Sequence, residues 1–155
     1  MTSLPKCLAA AALALAAHAV VANDSDSLPT DRLAPVRERI AARQWDGAIR
    51  ELQRINDPSS ADWNNLMGYS LRKSPAPDLE AAERHYEAAL RIEPRHRGAL
   101  EYSGELALMK GDLAKAEERL ATLDRACRLP CGEYRDLKKA IAAYKANGNR
   151  FAGTP

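Results

Sequence analysis

Two stretches of this chain repeat each other, and the spacing of the repeat constrains the fold more than any other feature. Three pairs of residues are each 34 positions apart: Ala82 and Ala116, Tyr86 and Leu120, and Ala89 and Leu123. Gly68 and Gly104 form a fourth pair at 36 positions, so the first copy has two extra residues in the Pro-rich turn at 74–77. A fixed period in this range is typical of helical repeat arrays, whose units are stable only when stacked. The sequence therefore predicts a scaffold that binds other proteins.

The first 22 residues have the three-part pattern of a secretory signal peptide. Lys6 precedes an apolar run over 7–17, and small residues then offer cleavage after Ala19 or, as we expect, after Ala22. An uncleaved membrane anchor is the alternative, but the run is too short to span a bilayer comfortably. Cys7 lies before the apolar core, which does not match a lipoprotein acylation site. We expect a periplasmic or secreted protein with no stable membrane span after processing.

Composition excludes several classes of function. The chain has 23 Lys and Arg against 21 Asp and Glu, whereas binding to nucleic acid or to an anionic membrane needs a clustered basic surface. Aromatic residues make up only 5%, and the abundance of Ala, Leu, Arg and Glu favours helices over strands. The sequence has no glycine-rich phosphate loop, no metal-binding His pair and no nucleophile motif. We therefore expect neither an enzyme nor a cofactor.

Apolar residues at helical spacing divide the rest of the chain. Residues 23–30 are predicted to be a linker, 31–147 an all-α domain and 148–155 a flexible tail. Thr30 or Asp31 is expected to cap the first helix, and residues 43–47 to form a turn before the second. Seven helices are predicted, starting near residues 31, 48, 60, 78, 97, 112 and 133. Asp78 and Asp112 are the predicted caps of the fourth and sixth helices, and Gly111 ends the fifth.

The helix-turn-helix period resembles the tetratricopeptide repeat. The second unit carries the resemblance best, with Gly68 at the close-contact site of its first helix and Ala82, Tyr86, Ala89 and Pro94 along its second helix. The third unit matches through Gly104, Gly111, Ala116 and Leu120, and the first in part through Trp45, Ala48 and Leu52. The resemblance implies three helix pairs and a C-terminal capping helix. An unrelated helical bundle is the alternative.

In tetratricopeptide proteins, the first helices of successive pairs line a groove that takes a peptide or a partner helix. The resemblance places the following residues in that groove: Arg37, Asn65, Tyr69, Arg72, Glu101, Glu105, Arg135 and Lys139. Some family members clamp a C-terminal carboxylate there, but Glu101 and Glu105 oppose such a charge, so a mixed-charge ligand or a basic segment fits better. The alternative is that these polar residues are only the solvated side of amphipathic helices.

Cys127 and Cys131 are the two cysteines that remain after cleavage. In an oxidising compartment a close pair predicts a disulfide, and Pro130 and Gly132 bend the chain enough to allow it. A metal or redox site is the alternative, because two thiolates suit Cu(I). Structural zinc needs four ligands, and His85 and His96 lie in polar surroundings typical of solvated histidines.

Together these features predict an exported adaptor that helps to assemble or mature an envelope protein by holding a segment of it. The first rival is a small periplasmic protein that handles Cu(I) or thiols through Cys127 and Cys131. The second is an accessory subunit that works only as an oligomer.

Overall fold

The helices of this protein follow the apolar periodicity of its sequence. The computed structural model describes residues 31–129 and 131–152, and this part of the chain contains seven helices and no strand. The helices are α1 (Ala34–Ala41), α2 (Trp45–Ile55), α3 (Ala61–Lys73), α4 (Leu79–Ile92), α5 (Arg97–Met109), α6 (Leu113–Ala126) and α7 (Gly132–Ala146). The predicted all-α class is confirmed for these residues. The predicted signal peptide at 1–22 and linker at 23–30 lie outside them.

Side chains cap the first turn of four helices. Asp78 and Asp112 each accept the backbone N–H three residues further on, at 2.8 and 2.9 Å, as predicted. Ser60 and His96 cap α3 and α5 in the same way. Each cap satisfies a donor that has no partner within its own helix. The two aspartate caps are 34 residues apart, so the sequence period coincides with the helix boundaries.

The turn before α2 is shorter than predicted. Arg43 reverses the chain with a φ of 55°, and α2 already begins at Trp45, so Gly47 belongs to its first turn. The start of α1 also differs, because its N-terminal flanking residue is Leu33 and no side chain caps it. Asp31 instead accepts the N–H of Leu33 at 3.1 Å. Gly111 ends α5 as predicted, with a φ of 82° that favours glycine.

The odd-numbered helices form one layer. Every helix packs against the next along the chain, and the most extensive contacts join α3 to α4 and α5 to α6. Among the described residues, the non-consecutive contacts are α1 with α3, α3 with α5, and α5 with α7. The odd helices are therefore neighbours in sequence order, and α2, α4 and α6 pack against this layer. None of the seven described helices is both long and apolar enough to cross a membrane.

The apolar core lies where the paired helices meet. Residues related by the 34-residue period are buried at matching places: Ala82, Ala89, Ala116 and Leu123 are fully enclosed. Glycines stand at two of the helix contacts, Gly68 between α3 and α4 and Gly104 between α5 and α7. A Cβ on Gly68 would lie 2.8 Å from the ring of Tyr86. A Cβ on Gly104 would lie 2.6 Å from Leu137 of α7, so both glycines allow close approach that any larger residue would disturb.

Candidate functional site

Five of the predicted groove residues lie on two neighbouring helices of the odd layer. Asn65, Tyr69 and Arg72 stand at i, i+4 and i+7 on α3, and Glu101 and Glu105 at i and i+4 on α5. Such spacings place side chains on one face of a helix. Because α3 and α5 are in contact, the structure brings the five together. We call the odd-helix surface the set Asn65, Tyr69, Arg72, Glu101, Glu105, Glu133 and Asp136.

Arg72 is buried and compensated within this surface. Its Nη2 donates to Oε2 of Glu105 at 2.7 Å. Its guanidinium carbon lies 5.7 Å from the ring centre of Tyr69 and 5.6 Å from that of Tyr102. A carboxylate and two aromatic faces together neutralise and hold a guanidinium. Arg72 is therefore already engaged, and its charge is not available to clamp the carboxylate of a ligand.

A row of aromatic rings supports the arginine. Tyr69 and Tyr102 lie with ring centres 4.6 Å apart, and Trp45 meets Tyr69 edge-on at 6.0 Å. Tyr86 continues the row at 6.3 Å from Tyr102. Rings in contact have few alternative rotamers, so this part of the surface is rigid before any ligand arrives. Tyr102 was not among the predicted residues, although it stands 33 positions after Tyr69 and the repeat period could have indicated it.

Glu101 is a buried carboxyl group without a compensating partner. It is 8% exposed, and it makes no hydrogen bond or ion pair within the part of the chain that the structure describes. Burial, together with the negative charges of Glu105, Asp136 and Glu133, raises the pKa of Glu101 to about 8, against a smaller opposing effect of Arg72. The low dielectric and the like charges both disfavour its ionised form. A cation placed beside it would relieve that penalty.

Asn65 has a side-chain hydrogen-bond acceptor that no donor reaches. It is 7% exposed, and its Oδ1 is buried with no hydrogen-bond partner among the described residues. Its Nδ2 faces α5 at Gly98, 3.0 Å from where a Cβ of that residue would stand. Gly98 is one helical turn before Glu101. A buried acceptor left unpaired costs about 1–3 kcal/mol, so a donor from a ligand would be favourable at this position.

The remaining three predicted groove residues are exposed on α1 and α7, and their place in a groove stays a prediction. Arg37 is exposed on α1 and pairs with Asp31. Arg135 and Lys139 are exposed on α7, because Leu137 is the residue that packs into α5 and sets which side of α7 faces the layer.

Glu133 and Asp136 are the α7 residues whose charges reach Glu101. Sequence analysis missed both of them. Asp136 stands 35 positions after Glu101, so extending the repeat period into the last helix could have indicated it. Glu133 lies 3.7 Å from Nε of Arg97, which partly compensates it. The charges that reach Glu101 from α7 are therefore negative.

A pocket of about 430 Å³ adjoins one end of the odd-helix surface. Arg72 and Glu105 form one wall, and Tyr144 of α7 and Phe151 form another. Phe151 belongs to the predicted flexible tail, and it packs against the core cluster around α5, α6 and α7. The flexibility of residues 148–155 stays a prediction, but this aromatic side chain is half-buried.

The even helices present a second charged surface, and its charges are paired. Glu83 contacts Lys110 at 2.5 Å and Lys115 at 2.9 Å, and Glu87 contacts Lys115 at 2.9 Å and Arg119 at 2.8 Å. Hydrogen bonds from Lys110 and Lys115 lower the pKa of Glu83 to about 2. These ion pairs tie α4 to α6, and they leave no uncompensated buried charge comparable to Glu101.

The two histidines in the described part of the chain, His85 and His96, are partly buried and hydrogen-bonded instead of simply solvated. His85 Nδ1 lies 3.1 Å from Oδ1 of Asn64, which can only accept, so this nitrogen carries the proton. His96 Nδ1 accepts the N–H that begins α5, and its Nε2 donates to Asp62 at 3.1 Å. Packing of α3 against α4 and α5 brings these partners together. Both histidines therefore join helices.

The Sγ atoms of Cys127 and Cys131 lie 2.11 Å apart, at disulfide-bonding distance, between the end of α6 and the start of α7. The described residues contain no group of three or more His, Cys, Asp and Glu that could hold a metal ion. Comparison with models of known protein families and with curated proteins gives no match.

Proposed function

We propose that this protein is an exported, tetratricopeptide-like scaffold whose odd-helix surface binds an extended segment of another envelope protein. In this proposal α1 with α2, α3 with α4, and α5 with α6 are three repeat units, and α7 is the cap. The order of contacts within the odd layer and the 34-residue spacing of the buried residues and helix caps support this assignment. Export rests on the signal-peptide pattern in residues 1–22.

The observation that carries the binding proposal is the unpaired acceptor of Asn65. A backbone N–H of an extended peptide would donate a hydrogen bond to Oδ1 of Asn65. In the unbound peptide the same N–H is hydrogen-bonded to water. The aromatic row beside it is held by ring contacts and by the pair of Arg72 and Glu105. A surface ordered in advance loses little conformational entropy on association. Binding then needs no catalytic group and no cofactor.

Replacing Asn65 with Ala tests this proposal. The probe is a pool of acetylated and amidated random octapeptides, presented to the immobilised protein and quantified by mass spectrometry. We expect Asn65→Ala to weaken retention roughly two- to tenfold, which is the effect of losing one hydrogen bond. Gln53→Ala on the exposed side of α2 is the matched control and should retain peptides as the unchanged protein does. Equal retention by all three proteins, with equal helical circular dichroism, would count against the surface.

The rival function, handling of Cu(I) or thiols, needs two reduced cysteines. The adaptor proposal instead expects Cys127 and Cys131 to be joined as a disulfide. Alkylation of the protein in intact cells, followed by intact mass measurement, distinguishes the two functions. The adaptor proposal expects no alkylated cysteine and a mass that begins at Asn23. Two alkylated thiols would favour the rival, and a retained Met1 would contradict export.

A further inference from the structure

The odd-helix surface has an excess of carboxyl groups around the buried Glu101. Its only positive member is Arg72, and that charge is balanced by Glu105 at 2.7 Å. Arg97 lies 3.7 Å from Glu133 but is itself mostly exposed. Glu101 and Asp136 have no ion pair among the described residues. A cation from outside the chain would therefore be favourable beside Glu101.

The environment of Glu101 is formed by the packing of neighbouring helices. The charges of Arg72 on α3 and of Glu133 and Asp136 in the first turns of α7 all act on its side chain. Three carboxylates surround it, and no described donor reaches it. Folding would place a carboxyl in this environment only at a cost in stability. Asn65, whose Oδ1 is buried and unpaired, faces α5 one helical turn away at Gly98.

We propose that the segment bound by the odd-helix surface presents a lysine or arginine side chain to Glu101 while its backbone donates an N–H to Asn65. This inference rests on the proposed function and adds the chemistry of the ligand. A single cation satisfies the two requirements of the position, which are a counter-charge and hydrogen-bond donors. An acidic segment would be repelled by the carboxylates of Glu105, Glu133 and Asp136. An apolar side chain would leave Glu101 buried and unpaired.

Binding of such a cation is coupled to the protonation of Glu101. The titratable and charged groups that face it are Glu105 and Tyr102 of α5, Tyr69 and Arg72 of α3, and Glu133 and Asp136 of α7. With a pKa of about 8, this carboxyl is roughly nine-tenths protonated at pH 7. A bound ammonium or guanidinium favours the carboxylate, so the carboxyl proton leaves to the buffer as the ion pair forms. Association at pH 7 should therefore release close to one proton.

The selectivity is tested with defined peptide pools. The probes are acetylated and amidated octapeptides in which one central position is fixed as Lys, Arg, norleucine or Glu and the other seven are random. We expect the intact protein to retain the Lys and Arg pools at least about tenfold better than the norleucine pool, as for a charge-assisted pair. Glu101→Gln should abolish that preference. Glu118→Gln, at an exposed position of α6, is the matched control and should keep it.

Each outcome of the pool experiment decides between the two proposals. Retention of all pools without preference for Lys or Arg, or an unchanged preference in Glu101→Gln, would overturn the cation site and leave segment binding intact. Retention of no pool by the intact protein would overturn segment binding as well. The isosteric change to Gln keeps the side-chain volume, and thermal unfolding of both variants verifies that they are folded.

Proton release provides a second, independent readout. Isothermal calorimetry of the best retained Lys peptide is carried out at pH 7 in two buffers with different ionisation enthalpies. The intact protein and Glu118→Gln should release nearly one proton per peptide, and Glu101→Gln none. Release that is absent from the intact protein, or equal in Glu101→Gln, would contradict the role of Glu101.

Discussion

At the scale of single residues, Glu101 departs furthest from its behaviour in water. Its carboxyl is 8% exposed and stands among like charges, so the folded state favours the protonated form. Asn65 shows the same imbalance in a neutral group, since its oxygen is buried and unpaired. Structures retain such unfavourable groups mainly at functional sites. The two residues together distinguish this surface from an ordinary solvated helix face.

The burial of Glu101 predicts a pH dependence of stability. Its pKa rises from 4.5 to about 8 on folding, so between these pH values the folded chain holds a proton that the unfolded chain has lost. The free energy of unfolding therefore falls as pH rises through this window and levels off on either side. Glu101→Gln should remove this slope. We expect the difference in unfolding free energy between the intact protein and Glu101→Gln to change by on the order of 2 kcal/mol from pH 5 to pH 8, measured by urea unfolding.

His85 contributes a pH dependence of stability with the opposite sign in part of this pH window. Burial lowers the pKa of His85 below its ordinary value of 6.5, so its contribution to stability is lost as pH falls through its folded-state pKa. His85 is present in both proteins and cancels in their difference. Parallel stability curves for the intact protein and Glu101→Gln would show that the carboxyl is ionised in the folded state.

At the scale of helices, two glycines set how closely neighbouring helices approach. Gly68 on α3 meets the Tyr86 ring and the backbone of α4, where a Cβ would lie 3.0 Å from the carbonyl oxygen of Ala82. Gly104 on α5 receives Leu137 of α7. Contact at Gly68 joins the helices of one pair, whereas contact at Gly104 joins one pair to the cap. Small residues at both places allow the odd layer to stay continuous.

Replacing Gly68 with Ala should destabilise the protein although alanine favours helices. The gain in helix propensity is about 1 kcal/mol, but the buried Tyr86 ring and the backbone of α4 cannot move aside freely. We expect a net loss of about 1–2 kcal/mol from overpacking, measured by urea unfolding.

The matched control is Gly47→Ala in α2. A Cβ there would lie 3.1 Å from the flexible Arg39 side chain and at an ordinary contact distance of 3.7 Å from Gln44, so the change should be neutral or stabilising. Destabilisation of equal size at both positions would contradict a specific close contact at Gly68.

At the scale of the whole molecule, the described helices are linked by side-chain pairs as well as by the core. Ion pairs join α4 to α6 through Glu83 and Glu87, and Lys145 of α7 pairs with Glu117 of α6 at 2.5 Å. Cys127 and Cys131 connect α6 to α7 at the turn before the last helix. Because Leu137 and Asp136 belong to α7, the position of this helix decides the acidic end of the odd-helix surface.

The cysteine pair should stabilise the placement of α7 modestly. Closing a loop of about five residues contributes about 2 kcal/mol by the entropy of the unfolded chain. A bonded pair predicts that Cys127→Ser, Cys131→Ser and the double variant lose the same stability, since each removes the one bond. Additive losses in the double variant, or no response of the intact protein to a reducing agent in thermal unfolding, would contradict the disulfide.

The sequence by itself determined the helices, because their signals are local. Apolar spacing predicted all seven, and Asp78, Asp112 and Gly111 were identified as boundaries from the hydrogen-bonding and backbone preferences of single residues. The resemblance to the tetratricopeptide repeat also identified five residues of the odd-helix surface, and helical spacing places those on α3 and those on α5 each on one face of their helix. The prediction failed at residues 45–47, where the left-handed backbone of Arg43 makes the turn short.

The tertiary structure alone decided which charges are compensated. Sequence could not show that Arg72 pairs with Glu105 while Glu101 stays unpaired, because this depends on how α3 and α5 approach each other. It could not show that Asp136 and Glu133, and not Arg135 and Lys139, face Glu101, because the packing of Leu137 against Gly104 sets the rotation of α7. Electrostatic energies depend on distance and burial across helices, which no local pattern encodes.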